Sequence, residues 1–320
     1  MLRVSQLPLQ LDDQQQAELS QQYQAVEDFV KGRPRSQLPA RRFEDLRQEQ
    51  AHEALLDYVR CNVAPAMHTG SALLAALRNT RLLPTGCESL DKSLLRGGLR
   101  EAHHTELAGE SGSGKTQLCM QMAAQTALRR ERVIYIDTDG SFSGKRFAAM
   151  HERLAGGAPE ADLVAALRCV DLFRVHDLHS LLQLLSALHT QLQEDQSQQQ
   201  VSLLVIDSLS FLVAPMLSSA EANGHALMVR LGHLVKQLAQ RFSLVALTTN
   251  HLVGGYEDVR PALGESWKAQ ANLRLVLTCK GPTLRKATLA ACSTAPCGGS
   301  VMFDIFVGGL VSNNAPGIGR

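Results

Sequence analysis

From Leu83 onward, short apolar runs alternate with longer stretches that repeat apolar residues at helical spacing. Aliphatic or β-branched runs at Val133–Ile136, Val170–Val175, Val201–Ile206, Leu244–Thr248 and Leu273–Thr278 each predict a strand. Between them Ser143–Leu154, Asp177–Gln193 and Ala222–Arg241 predict helices. Strands alternating with helices predict a parallel sheet covered by helices. Beyond Cys279 the helical pattern stops. Lys286–Cys292, Ser300–Val307 and Leu310–Ser312 read as strands divided by Pro296, Gly298-Gly299 and Gly308-Gly309, which predicts an antiparallel extension of the sheet.

The first part of the chain has another pattern. Gln10 to Gln24 is rich in glutamine, and Asp13–Val30 predicts a helix. Lys31-Gly32-Arg33-Pro34-Arg35 and Pro39-Ala40-Arg41-Arg42 form a basic, Pro-broken linker, and Arg42–Val59 predicts a second helix. The basic run has two readings, a solvated charged loop and a nuclear-import or phosphate-contacting segment. A joint at Ala64–Gly70 completes the division: a helical interaction module over 1–66, a linker over 67–82 and a large α/β domain over 83–320.

Composition narrows the classes. At 320 residues and 45% hydrophobic content the chain can bury a sizeable core. Its formal net charge of +1 gives no global basic footprint, so any contact with nucleic acid must come from local patches. The 7 cysteines lack the paired short spacings of a zinc site. An odd count without a secretory leader fits a reducing compartment. No apolar run is long enough to span a bilayer, and no membrane partner is expected.

The most specific chemistry lies at Gly109-Glu110-Ser111-Gly112-Ser113-Gly114-Lys115-Thr116, which meets every fixed position of G-x-x-x-x-G-K-[ST]. Glycines at this spacing let successive backbone N–H groups point inward and cradle a phosphate at a helix N-terminus. Lys115 then faces the β- and γ-phosphates, and Thr116 offers a hydroxyl to Mg²⁺. The context agrees, with a predicted strand at His104–Ala108 before the loop and a helix at Gln117–Leu128 after it.

Two further strand ends carry acids. Leu203-Leu204-Val205-Ile206-Asp207-Ser208 is an apolar strand closing on a carboxylate, which makes Asp207 the expected Mg²⁺-side acid. Val133-Ile134-Tyr135-Ile136-Asp137-Thr138-Asp139-Gly140 is the second, and Asp139 is placed either to orient an attacking water or simply to open a turn. At a third strand end, Thr248-Thr249-Asn250-His251 offers polar groups that could sense a γ-phosphate, with His251 as the candidate sensor. The only tryptophan, Trp267, reads as a packed core residue more readily than as a base-stacking one.

From about Leu83 to Val311 these residues resemble the RecA-type recombinases of eukaryotes and archaea. Leu83–Asp91 looks like the family's entry motif, Gly109–Gln117 like its phosphate loop, Tyr135–Gly140 like its catalytic strand and Leu203–Ser208 like its second acidic strand. Order and separation agree as well as the motifs. Thr249-Asn250-His251 and Pro261–Trp267 look most like the D-type paralogue, a mediator subunit and not the strand-exchange recombinase. The resemblance implies a RecA-like P-loop ATPase core with a mostly parallel central sheet, ATP and Mg²⁺ as cofactors, and a nuclear location. It implies other recombinase paralogues as partners in a hetero-oligomer, with single-stranded or branched DNA met within that complex. Carried over by position, Gln117 belongs to the nucleotide-binding set and Arg146 matches the arginine that stacks on adenine, a contact suited to a planar guanidinium.

Three departures bear on activity. Asp139 stands where active members carry Glu, and His251 where the recombinases carry Gln. The family's DNA-binding loops fall at about Ala214–Asn223 and Val253–Ala262, where one basic residue, Arg260, faces Glu221, Glu257 and Asp258. Weak DNA binding by the isolated chain is expected from so few phosphate-neutralising groups. The expectation is therefore a slowly hydrolysing, DNA-dependent ATPase acting as a paralogue subunit in homologous recombination and double-strand-break repair. The alternatives are a nucleotide-bound scaffold without turnover and a filament-forming recombinase.

Overall fold

The computed structural model describes residues 4, 13–23, 51–52, 54–56, 69–157, 159–195, 199–218, 224–253, 260–261, 263 and 267–313. Two compact units divide the chain, Met1–Asn79 and Thr80–Arg320. In the first unit α1 spans Asp13–Gln22, starting where the helix to Val30 is expected but ending before Tyr23, with 24–30 outside the described residues, and α2 spans Gly70–Asn79. Helix α2 occupies much of the expected linker, and the unit boundary falls at its end. Its Ala72-Leu73-Leu74-Ala75-Ala76-Leu77 core is made of the strongest helix formers, a local preference that outweighs the punctuation of the joint before it. The basic linker and most of the expected Arg42–Val59 helix lie outside the described residues.

The second unit opens with a short antiparallel pair, β1 (Leu82–Leu83) and β2 (Leu99–Arg100), around a single π-helical stretch at Ser89–Leu94. The strands β3 (His104–Gly109), β4 (Arg132–Asp137), β5 (Val170–Arg174), β6 (Val201–Asp207), β7 (Val245–Val253) and β9 (Leu273–Cys279) lie parallel. The short strand β8 (Arg260–Pro261) pairs antiparallel with the end of β7. Then β10 (Leu284–Cys292), β11 (Ser300–Phe306) and β12 (Gly309–Ser312) continue the same 10-stranded sheet as antiparallel neighbours in the order β12-β11-β10-β9-β3-β7-β6-β4-β5. The mostly parallel sheet with an antiparallel extension, expected from the hydrophobic pattern, is the observed architecture.

Helices cover both faces. On one side α3 (Lys115–Leu128), α4 (Gly144–Leu154) and α5 (Glu160–Leu167) close a core with Leu107, Leu118, Tyr135, Phe147, Val205 and Phe303. On the other, α6 (Leu178–Glu194), α7 (Leu209–Ser218) and α8 (Gly224–Arg241) pack with Ile136, Leu185, Ile206, Leu231, Leu263 and Trp267. Trp267 is fully buried, as expected, with its ring edge-on to His104 at a centroid distance of 5.6 Å.

Strand order places the site. The chain leaves β3, passes through α3 and re-enters the sheet at β4, which is separated from β3 by β7 and β6. The loop after β3 therefore opens over the C-terminal ends of β6 and β7, where open α/β sheets form their ligand crevice.

Candidate nucleotide site

Residues 109–116 form the turn from β3 into α3. Gly109 has no room for a side chain, because a Cβ there would stand 2.6 Å from the Leu277 carbonyl oxygen. Gly114, with φ +103°, takes the left-handed conformation that opens the helix, and a Cβ on it would press Ile305 Cδ1 at 2.6 Å. Ser113 is buried and its Oγ has no hydrogen-bond partner, whereas Glu110, Ser111 and Gly112 face solvent. An orphaned hydroxyl beside a left-handed glycine, at the N-terminus of a 14-residue helix, fits an anion.

Lys115, the first residue of α3, folds back over the loop. Its Nζ donates to the carbonyl oxygens of Gly109 at 2.8 Å and Glu110 at 2.9 Å. Burial lowers its pKa, opposed by the negative charges of Asp207, Asp139 and Glu110. Asp207 ends β6 and is almost fully buried. Its carboxylate accepts from Thr249 Oγ1 at 2.5 Å and from Tyr135 Oη at 3.1 Å, and the Thr116 side chain lies near enough to favour its charged form. Burial raises its pKa; Thr249, Thr116 and Tyr135 work the other way, and Asp139 adds to the rise. Thr116 and Asp207, which the sequence assigns to Mg²⁺, thus lie side by side. Their oxygen donors suit a hard cation that keeps part of its water shell.

The two acids at the end of β4 differ in environment. Asp137 is fully buried and accepts from the amides of Gly140 (2.9 Å), Ser141 (3.1 Å) and Phe142 (3.2 Å), so it shapes the turn. Asp139 stands on that turn, exposed, and accepts from Ser141 N at 3.0 Å. Between the strands, Thr138 Oγ1 donates to Ser208 O (2.9 Å) and accepts from Ser208 N (2.8 Å), fixing the end of β4 against that of β6. The Asp207–Ser208 peptide is cis.

His251 pairs in register with Gly109 across the β3–β7 ladder, which brings it directly beside the loop. Its backbone N–H donates to Ser210 Oγ at 3.0 Å. Burial and the Lys115 charge lower the imidazole pKa, against Asp207 and Asp139. Lys115, Thr116, Asp139, Asp207 and His251 therefore share one electrostatic neighbourhood. Tyr135 joins them without having been singled out; a hydroxyl in an otherwise apolar strand, two residues before Asp137, is the signal that could have found it.

Arg146 lies on α4. Its Nε donates to Gln117 Oε1 at 2.6 Å, and its two terminal nitrogens donate to the carbonyls of Val307, in the turn between β11 and β12, and of Phe306, the last residue of β11. All of these bonds use the guanidinium edge. Seven positions on, Arg153 repeats the arrangement, donating to Gly308 O (2.6 Å), Leu310 O (2.9 Å) and Gln121 Oε1 (3.2 Å). Arg285 Nε reaches Gly112 O at 3.2 Å. The antiparallel extension thus touches the phosphate loop through Ile305 and Arg285.

The stretch expected as the first DNA-binding loop, Ala214–Asn223, begins inside α7, and 219–223 lie outside the described residues. So do 254–259 and 262 of the second. Among the described residues no cluster of histidine, cysteine or acidic side chains could hold a metal ion by itself, and no helix is long and apolar enough to cross a membrane.

The Rad51 family model matches residues 78–268 of this chain. The "DNA repair protein RAD51 homolog 4" of Bos taurus is 35% identical over 204 residues, 62% of each chain. The Mus musculus protein of that name is 33% identical over 238 residues, 71% of each. The "DNA repair and recombination protein RadA" of Metallosphaera sedula is 30% identical over 198 residues, 58% of each. The chain spans a little under two thirds of the cattle relative.

Proposed function

The chain belongs to the Rad51 family of RecA-type recombinases and their paralogues, and from that premise and the geometry of its phosphate loop we propose that it is an ATP-binding, slowly hydrolysing paralogue subunit. It works in DNA repair by homologous recombination, in the nucleus, within a hetero-oligomer of related subunits that supplies most of the contact with single-stranded or branched DNA. The relatives are named for DNA repair and recombination, which supports this setting. One observation carries the nucleotide reading: Lys115, Thr116, Asp207 and His251 converge on a glycine-shaped loop at a helix N-terminus.

In this reading the amides of 111–115 cradle the β-phosphate and Lys115 turns from the Gly109 and Glu110 carbonyls to the β- and γ-phosphates. Thr116 and Asp207 hold Mg²⁺, which neutralises charge shared by those phosphates. Tyr135 and Thr249 orient the Asp207 carboxylate. Arg146, its edge fixed by Gln117 and the 306–307 carbonyls, presents a flat face on which adenine stacks. Asp139 orients the attacking water from the mouth of the site, and His251 registers the γ-phosphate. Asp139 is exposed, bonded to the Ser141 amide and one methylene shorter than glutamate, which favours slow turnover and keeps a nucleotide-bound scaffold as the second reading.

The test is nucleotide binding and turnover by the purified chain, with and without single-stranded DNA, beside co-purification of the tagged protein from its own cells. Lys115→Ala removes charge-assisted hydrogen bonds and should weaken Mg–ATP binding by roughly 10- to 100-fold. Unchanged binding would remove the site from consideration. Loss of binding with partner assembly intact would favour the scaffold.

A further inference from the structure

Directly behind the site, a second polar cluster is sealed inside the sheet. Glu106 of β3 is fully buried at a position flanked in register by Thr248 of β7 and Arg274 of β9. One carboxylate oxygen accepts from Asn250 Nδ2 at 2.7 Å, and the other is bonded to Arg274 Nε. All three residues are buried, and two of their polar atoms, Asn250 Oδ1 and Arg274 Nη2, have no hydrogen-bond partner.

Tying three strands together does not require an ion pair. Apolar side chains of similar volume often hold such a contact as well or better, because the desolvation of two charges offsets their attraction. Hydrogen bonds to a carboxylate do add direction: they set which way the end of β7 lies. That end carries the site. Successive residues of a strand point to opposite faces, so Asn250 faces Glu106 while Thr249 and His251 face the phosphate loop. Thr249 bonds Asp207 on its own face. Residues 249 and 250 of β7 therefore hold it on both faces, to the metal-side acid in front and to the strand of the phosphate loop behind.

We propose that Glu106 is a positioning residue for recognition of the γ-phosphate: through Asn250 it fixes the end of β7, and with it Thr249 and His251, so that preference for a nucleoside triphosphate over the diphosphate depends on it. This rests on the nucleotide reading above. Glu106 touches no part of the phosphate loop's surface and should leave binding of the α- and β-phosphates alone.

The experiment titrates the full chain with Mg–ATPγS and with Mg–ADP, comparing wild type, Glu106→Gln and Asn250→Ala, with melting temperatures measured in parallel. In both variants ATPγS affinity should fall about tenfold, within the usual range of coupling between sites, while ADP affinity changes by less than about twofold. Asn250→Ala leaves the Glu106–Arg274 pair whole, so it carries the test if Glu106→Gln does not fold. A triphosphate-to-diphosphate ratio equal to wild type in the folded variants overturns the inference. Parallel weakening of both nucleotides that follows a loss of melting temperature does the same, since that is what a purely structural role predicts. Wild-type protein that binds neither nucleotide overturns the nucleotide reading and this inference with it; wild type that binds both equally overturns this inference alone.

Discussion

The parallel and antiparallel halves of this one sheet are held in place by different means. In β3 and β6 every residue is buried, and in β4 all but the first, so helices on both faces and ladders on both edges fix each strand end. In β10 and β11 most positions are at least partly open to solvent. There the turn into β12 is strapped by the side chains of Arg146 and Arg153. Asp207 ends β6, and Thr249 and His251 lie in the part of β7 that runs on past its pairing with β6. Ile305 and Arg285, which reach the 109–116 loop, belong to the antiparallel half. The candidate site residues sit on the doubly covered strands, and a more exposed turn, strapped by side chains, sits beside them as a cover.

If this contrast is correct, the largest losses of stability come from the packing behind the parallel strands. Trp267→Ala empties a fully buried indole site against His104 and should cost about 3–5 kcal/mol in urea denaturation. Phe306→Ala, at an aromatic ring 51% exposed at the end of β11 beside the strapped turn, should change stability by less than about 0.5 kcal/mol. Equal costs would erase the distinction between the two halves.

A smaller effect should follow from pH. His104, fully buried in β3, shares its Nε2 with Thr248 Oγ1 at 2.8 Å and its Nδ1 with Gln270 O at 3.0 Å. Burial pulls its pKa down to about 4, with the Gln270 bond working against that and the charges of Lys236 and Arg274 adding to it. The folded chain therefore takes up this proton later than the unfolded chain as pH falls. The stabilisation from a neutral His104 is complete above the ordinary histidine value and is lost between about 6.5 and 4, by roughly 3 kcal/mol if all of it is expressed. Denaturation free energies of wild type and His104→Gln should converge as pH falls through that window. Curves that stay parallel would show that this histidine does not set the acid limit of the parallel half.

Legibility in the sequence did not follow that division: the antiparallel strands, read as Lys286–Cys292, Ser300–Val307 and Leu310–Ser312, match β10–β12 to within two residues. Strands buried on both faces read as continuous apolar runs, and their positions were recoverable to within a few residues, as at Val201–Ile206 against the observed Val201–Asp207. The pattern stops β7 at Thr248, yet the strand continues to Val253. Thr249, Asn250 and His251 look like loop residues in isolation, but pairing with Leu107, Ala108 and Gly109 satisfies their backbones inside the sheet. The two turns of α5 are too short to show a period; Pro159 as its cap and Glu160 and Asp162 in its first turn were the available cues. Helix α7 runs through Pro215, a residue that reads as a breaker. The phosphate loop and Asp207 were visible because their chemistry is local. Glu106 and Arg274 were not, since an ion pair spanning 168 positions leaves no pattern in either segment.

The finest test of the contrast lies in Arg153. Its guanidinium bonds Gly308 O, Leu310 O and Gln121 Oε1, and that same amide oxygen accepts the Leu310 N–H, so one side chain from α4 and one from α3 hold the start of β12. Arg153→Ala removes three bonds at an exposed site and should cost about 1–2 kcal/mol of global stability, less than Trp267→Ala behind the parallel strands. Its local effect should be larger than that figure suggests. With the strap gone, hydrogen exchange at the Leu310 amide should speed up well beyond the change in global unfolding, while amides of β3 and β6 follow global stability alone. Exchange that rises uniformly across the sheet would mean that both halves open as one unit, and the cover would then be as rigid as the site it overhangs.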